Sequence, residues 1–346
     1  MNYDELKTLC SLCGTSGREH AVRAYILNEI AKAGLPADAV KTDRLGNVLV
    51  HKKGASSAKK RVMFSAHMDE VALMVTQINT DGTLSFDAVG GVNAGAVIGR
   101  QVQVGKKLIP GVIGCKPVHL LSREQRKKPA EMSSLYCDIG TASEQETLAQ
   151  VRPGDIIYFC ENATDFGNDS FMSKAIDDRF GCAILLSLLR KDLPYDTDFT
   201  FVVQEEVGLR GAGVAARQLD PDFAVIFEAT TAADIPGSEG SDRVCALGEG
   251  AVISFIDGRT VYDKALYDLA VSVCENNSIK WQTKTKIAGG NDAEAIQNAG
   301  DGVRVLAVSV PCRYLHAPAS VIRKSDADAC ENLANALISA IQEAEL

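Results

Sequence analysis

The chain has 346 residues, 46% of them hydrophobic and 23% charged, with 36 basic against 45 acidic side chains and a formal net charge of −9. That length suits one large or two moderate soluble domains. The acidic balance argues against a nucleic-acid partner, and no apolar run approaches the roughly 20 residues of a membrane span.

The N-terminus "MNYDELKTLC" carries acids and no continuous apolar core, so it does not read as a secretory leader. The 10 cysteines are scattered, and only Cys10 and Cys13 make a C-x-x-C. That pair lacks a strand-to-helix setting, so reduced, mostly buried thiols in a cytoplasmic protein are expected.

In chain order, "YDELKTLCSLCG" predicts a short amphipathic helix closed by Gly14. "SGREHAVRAYILNEIAKAG" predicts a second, with Ser16 and Glu19 as a capping box and Gly34 as its stop. "NVLVHKKG" and "RVMFSA" predict strands. From about Val71 the texture changes to short β-type runs separated by Gly, Asp and Asn turns, which predicts a small β-barrel-like unit. The polar stretch "HLLSREQRKKPAEMSS" inside it reads as exposed.

From about Phe171 an alternation of strands and helices returns. "KAIDDRFGCAILLSLLRK", "AGVAARQL", "VYDKALYDLAVSVCENN", "NDAEAIQNAG" and the C-terminal "SDADACENLANALISAIQEAEL" read as helices. "FTFVVQ", "FAVIFEA", "AVISFID" and "GVRVLAVSV" read as strands. Such alternation predicts an α/β fold: a mixed, mostly parallel sheet with helices on both faces. The expected organisation is a catalytic α/β domain over residues 1–68 and 164–346, with a β domain, 69–163, inserted into it.

Acids and histidines recur where the predicted strands end. His67 and Asp69 follow "RVMFSA", Glu205 and Glu206 follow "FTFVVQ", Glu228 follows "FAVIF", and His316 comes soon after "VRVLAVSV". Asp177 and Asp178 open a helix after a polar loop. Ligands of open α/β sheets collect at the carboxyl ends of strands.

Imidazole with carboxylate suits zinc, cobalt or manganese rather than a structural thiolate site. Two histidines and about three carboxylates exceed one tetrahedral ion and match a bridged pair. A further carboxylate must then move the proton of the attacking water. The Glu205–Glu206 doublet supplies one ligand and one base. His67 would ligate, and Asp69, two residues on along an extended segment, would hold its other ring nitrogen. Glu70 would point away. Taken singly, each motif has an ordinary reading as a solvated or helix-capping charge. Their joint placement beside apolar runs favours a buried site. His20, His51 and His119 read as non-ligands.

The segments "SAHMDEVALMV", "SKAIDDRFGC", "VVQEEVGLRGA", "FEATTAADIPG", "GGNDAEAIQNAG" and "VPCRYLHAP", in this order over residues 65 to 318, resemble the tetrahedral aminopeptidase family. These are cytoplasmic dinuclear-metal peptidases with glutamyl, leucyl and deblocking members. The resemblance implies two divalent ions per subunit, zinc first, with cobalt or manganese as alternatives. It implies that His67 and Glu228 hold one ion, Glu206 and His316 the other, that Asp177 bridges them with a cis peptide after it, that Glu205 is the general base, and that Asp69 supports His67. It further implies short peptide substrates and a homododecamer built from dimers through the β domain, with no nucleic-acid or membrane partner. Glu228 departs from the Asp common at that position in relatives, and "NDAEAI" departs from the usual "TDA", with Asn291 expected as a helix cap.

Two other readings compete. One is a different hydrolase on the same site, such as a carboxypeptidase, an amide deacylase or a glycan-acting enzyme. The other is a non-catalytic scaffold, which the retention of every candidate ligand and of Glu205 disfavours. Arg259, Arg313 and Lys284 fall near plausible pocket segments as possible substrate contacts.

Overall fold

The computed structural model describes residues 1–160 and 162–346. Helices α1 (Tyr3–Ser11) and α2 (His20–Lys32) lead into strands β1 (Val40–Thr42), β2 (Val48–Lys52) and β3 (Val62–His67). Strands β4 (Ala72–Ile78), β5 (Leu84–Val89), β6 (Gln101–Val104), β7 (Ile109–Cys115), β8 (Leu135–Asp138) and β9 (Ile156–Phe159) follow, with short helices α3 (Ala94–Val97) and α4 (Glu144–Leu148) between them. The chain continues through β10 (Thr164–Phe166), β11 (Ser170–Ser173), α5 (Ile176–Leu189), β12 (Thr197–Val202), α6 (Ala212–Leu219) and β13 (Phe223–Thr231). It finishes with β14 (Ala251–Ser254), α7 (Lys264–Asn276), β15 (Trp281–Thr283), α8 (Ala293–Gln297), β16 (Arg304–Cys312), β17 (Ser320–Arg323) and α9 (Lys324–Glu343).

Among the described residues, one sheet runs in the order β1-β2-β12-β3-β13-β16-β14-β15. Its centre, β12, β3, β13 and β16, is parallel, while β1, β2 and β14 pair antiparallel to their inner neighbours. The sheet is therefore mixed and helix-covered, as the α/β alternation predicts. Strands β4-β5-β8-β7-β6-β9 close a barrel. No helix among the described residues is long and apolar enough to cross a membrane.

The central strands are apolar on both faces because both faces are covered. Phe64 joins the core built with α1, α2, α5 and α9, whereas its neighbour Met63 packs into a second core with Ala212, Ala216 and Ile296 from α6 and α8. Successive strand residues point to opposite faces, so a continuous apolar run is the expected pattern. The Phe64 ring meets those of Phe199 and Phe227 edge-on at 5.9 and 5.6 Å between centroids. That trio ties β12, β3 and β13 together just below their carboxyl ends. The barrel keeps its own core, which includes Leu73, Phe86, Val102 and Ile157.

Three local expectations fail. First, α1 ends at Ser11, with extended Leu12 after it, so Gly14 does not close the helix. Second, α2 begins at His20 and makes no side-chain cap. Ser16 and Glu19 do not form a capping box, because their oxygens are engaged elsewhere. Third, Asp177 (φ −79°, ψ 112°) and Asp178 (φ −118°, ψ 44°) are not helical, although the peptide between them is cis as the resemblance implies. Regular helix begins only after them, so neither acid serves as ordinary first-turn charge.

A small sheet, β10-β11-β17, has no counterpart in the sequence reading. It matters for the site. Ser173 of β11 pairs with Ser320 of β17, so the segment leading to Asp177 runs beside the segment leaving His316.

Candidate active site

All the predicted site residues except Asp177, which opens α5 after β11, lie in or just after the carboxyl-end portions of the parallel strands. His67 ends β3 and pairs in register with Val202, the last residue of β12. Glu205 and Glu206 sit in the turn that follows β12, and Glu228 lies in β13. His316 follows β16 in the left-handed region, at φ +58°. Ala175, Gln204 and Tyr314, close by in sequence to site residues, also hold positive φ. Such backbone costs about 1–3 kcal/mol per residue and persists where the surroundings enforce it.

The structure brings these side chains together around Asp177. One oxygen of its carboxylate lies 3.3 Å from His67 Nε2, and the other 3.2 Å from His316 Nε2. Glu228 stands 3.8 Å and Glu205 3.9 Å from His67 Nε2. Glu206 stands 3.5 Å from His316 Nε2.

Both imidazoles turn Nδ1 toward a backbone carbonyl, that of Asp69 at 3.1 Å and that of Gly91 at 3.2 Å. A proton held there on Nδ1 leaves Nε2 free to ligate. The expected carboxylate of Asp69 also approaches His67 Nδ1, at 3.4 Å. Its closer bonds go elsewhere: it accepts from Ser16 Oγ at 2.6 Å and from the amides of Glu205 and Glu206 at 3.0 and 3.2 Å. Glu70 turns away, as expected, and is buried against Lys174 at 2.7 Å and Arg179 at 3.4 Å.

Two groups of side chains converge closely enough to hold a cation: His67 with Asp177 and Glu206, and His67 with Asp178 and Glu228. The two aspartates differ in what they already hold. Asp178 accepts from the His67 amide at 3.2 Å and from the Gly181 amide at 2.8 Å. A Cβ on Gly181 would fall 2.4 Å from Asp178, so glycine is required there. Asp177 touches only the two imidazoles among the hydrogen bonds it makes. Asp178 thus fixes the end of β3, whereas Asp177 has both oxygens free of backbone donors.

The electrostatics of the site are unbalanced without a cation. Burial raises the Glu206 and Glu228 carboxyls well above their usual range, with neighbouring carboxylates adding to it and the imidazoles opposing. Burial lifts Glu205 to about 7, with Asp177 and Asp69 adding and His67 opposing. For His316, burial lowers the pKa, but bonding to Asp177 and the charge of Glu206 outweigh it and raise the group to about 9. For His67 the surrounding carboxylates likewise overcome burial. Asp177 is held below the usual range because both imidazoles outweigh its burial. Glu228 Oε1 is buried with no hydrogen-bond partner. A crowd of buried carboxylates, two imidazoles that turn Nε2 toward it and an orphaned carboxylate oxygen together fit divalent cations.

Several contributors are missing from the sequence reading. Gly91 reaches in from the loop after β5 to hold His316, and a Cβ there would sit 3.0 Å from the ring. The Gly90–Gly91 pair was the available signal. Asp292 is buried with both oxygens unpartnered, and burial together with Glu205 raises its carboxyl. Asn291, expected as the cap of α8, stands one residue before the N-cap position, which Asp292 occupies without a side-chain cap bond; the Asn291 Oδ1 accepts from the Ala293 amide at 2.9 Å. Of the three candidate substrate cations, Arg313 is paired to Asp234 at 2.7 Å and Arg259 to Glu294 at 3.1 Å, while Lys284 donates to the Ala288 carbonyl.

Comparison with known proteins places nearly the whole chain beside aminopeptidases. The M42 glutamyl aminopeptidase family matches residues 46–333. The lysyl aminopeptidase of Pyrococcus furiosus is 31% identical over 99% of this chain and 98% of its own length. An aminopeptidase from the archaeon Desulfurococcus kamchatkensis superposes with a TM-score of 0.91 at 32% identity, covering 99% of this chain and 94% of that one. The TET1 peptidase of Pyrococcus horikoshii, described as assembling into a tetrahedron or a large octahedral shell, superposes with a TM-score of 0.84 at 33% identity, over 97% of this chain and 98% of that one. Matched by that family over residues 46–333 and by relatives over nearly its whole length, the chain belongs to the M42 family of aminopeptidases.

Proposed function

We propose that this protein is a dinuclear-metal aminopeptidase that removes N-terminal residues from short peptides in the cytoplasm. The observation that carries the reading is the Asp177 carboxylate, which offers one oxygen toward each imidazole Nε2. His67 and Glu228 would hold one divalent ion and His316 and Glu206 the other, with Asp177 shared. Zinc is the first expectation, with cobalt or manganese as alternatives. Bound there, the ions would supply Lewis acidity toward the scissile carbonyl and ease deprotonation of water.

The chain's own groups do the rest. Glu205, close to His67 but outside the proposed ligand set, takes the proton of the attacking water and passes it to the leaving amine. Its raised proton affinity suits a group that must both accept and return a proton. Asp69 orients His67 and holds the two glutamate amides. The unit 69–163, containing the barrel, is the surface for self-association, and dimers of it build a dodecamer around the α/β domain of residues 1–68 and 164–346. The shells described for the Pyrococcus horikoshii relative support this assembly.

The test is turnover by metal-reconstituted protein on free and Nα-acetylated peptides, with Glu205→Gln as the control. Free peptides should lose their first residue and acetylated ones should stay intact. Glu205→Gln should retain metal and lose about 10²–10⁴-fold in turnover. Release of C-terminal residues, or cleavage of blocked substrates, would favour a carboxypeptidase or deacylase instead.

A further inference from the structure

The failed capping box raises the question of where its oxygens go. Beyond Val202, the last residue of β12, four consecutive backbone amides have no strand or helix partner. Side chains from elsewhere receive all four. The Val203 amide donates to Asn47 Oδ1 at 2.9 Å, and the Gln204 amide to Glu19 Oε1 at 3.2 Å. The amides of Glu205 and Glu206 donate to the two oxygens of Asp69 at 3.0 and 3.2 Å. Ser16 Oγ donates to the second Asp69 oxygen at 2.6 Å, and Glu19 Oε1 also receives the Gly17 amide at 2.7 Å. Asn47, Glu19 and Asp69 are all buried, at 0%, 3% and 0% exposure.

We infer that Ser16 and Glu19, with Asn47, are positioning residues for the turn that carries the proposed base and ligand, Glu205 and Glu206. The inference rests on the aminopeptidase reading for its consequence in turnover, but not for the hydrogen-bonded cradle itself. Buried amides left without acceptors are costly, so a turn of this shape depends on the oxygens supplied to it. Gln204 sits at φ +59°, a conformation that side-chain residues adopt only when held. Glu19 makes no ion pair among the described residues; its acceptors' duty is entirely to amides. It stands at the N-terminus of α2, where the helix dipole favours a carboxylate.

The loop that carries Ser16 and Glu19 is itself fastened to the strand end. Thr15 Oγ1 donates to the Glu70 carbonyl at 2.8 Å, and the Glu70 amide to the Gly14 carbonyl at 3.0 Å. The N-terminal loop, the end of β3 and the Glu205 turn therefore form one connected backbone unit. A shift of the loop is transmitted to both glutamates. The family match begins at residue 46, so it assigns nothing to Ser16 or Glu19.

The experiment uses the full chain and four variants: Glu19→Ala, Glu19→Gln, Ser16→Ala and Ser16→Thr. Hydrogen exchange of the 203–206 amides is measured on metal-free protein, and kcat, KM and bound metal on reconstituted protein. Glu19→Ala should raise exchange at Gln204 and its neighbours and lower kcat by about 10- to 100-fold, with KM and metal content within about twofold of the parent. Glu19→Gln and Ser16→Thr, which keep an acceptor and a donor respectively, should restore most of the loss. Unchanged exchange in Glu19→Ala overturns the cradle. Unchanged kcat despite faster exchange overturns the positioning role. A kcat loss that tracks lost metal and is not rescued by Glu19→Gln does so too. Should Glu19→Ala fail to fold, Ser16→Ala decides by the same readouts. Absent turnover in the parent protein would defeat the aminopeptidase reading while leaving the exchange result to judge the cradle.

Discussion

Stripping divalent ions from the protein should make its stability fall as pH rises. The reason lies in which protons the folded site keeps. Burial, with help from Asp177 and Asp69 and against His67, lifts Glu205 from its ordinary 4.5 to about 7. The folded state thus holds a proton that the unfolded chain has released. The stabilisation this gives is complete below pH 4.5 and is lost as pH rises through about 7. At about 1.4 kcal/mol per pH unit, the loss from Glu205 alone is about 3 kcal/mol. His316 acts with the same sign. Raised from 6.5 to about 9, it contributes fully below pH 6.5 and loses that contribution as pH climbs through 9. Its side chain is a third exposed, so solvent screening makes its share smaller. Asp177, held low, has the opposite sign, but its change falls below pH 3.8, outside the window. Urea unfolding of chelator-treated protein at pH 5, 6, 7 and 8, at fixed protein concentration, reads the slope. Metal-reconstituted protein should show the reverse trend, because ligands must be deprotonated to bind. A metal-free protein whose stability rises between pH 5 and 8 would refute the picture of protons standing in for cations.

Two further outcomes follow from the same contacts. Asp177→Asn keeps the shape but weakens the shared carboxylate, so bound metal should fall below the parent level and turnover by about 100-fold or more, read by metal analysis and steady-state kinetics. Glu70→Gln leaves Lys174 buried without its counter-charge and loosens the Gly14 amide that Glu70 also receives. Urea denaturation should show a loss of about 3–5 kcal/mol.

The main sheet was legible because its strands are unambiguous. "RVMFSA", "FTFVVQ", "FAVIFEA" and "GVRVLAVSV" are mostly apolar and do not alternate with polar residues, as suits a sheet covered on both faces. Strands β10, β11 and β17 were not legible, since three or four residues of mixed polarity carry no period. Their pairing is nonlocal, and it depends on a register between residues 173 and 320 that no local pattern encodes. The same limit hid the failure of the Ser16–Glu19 capping box. The spacing S-x-x-E fits a helix start, but a stronger claim on those oxygens came from a turn 185 residues away. Local propensity lost to tertiary demand for acceptors.

In the site, residue types, their places at strand ends and, through the resemblance, their expected roles were readable, while the donors that each acid meets were not. Hydrogen bonding distinguishes the acids. Asp69 and Asp178 each give both oxygens to backbone donors or a hydroxyl, so they are occupied in fixing chain. Asp177, Glu206 and Glu228 meet only imidazole nitrogens or nothing, and Glu228 keeps an orphaned oxygen. Carboxylates already satisfied by amides gain little from a cation, whereas buried ones without donors need one. Asp292 is unpartnered too, yet it falls outside both groups of converging ligand atoms. The sequence could supply the acids but not their donors, because each donor is a backbone amide whose position exists only once β3, the Glu205 turn and the loop before α2 have met.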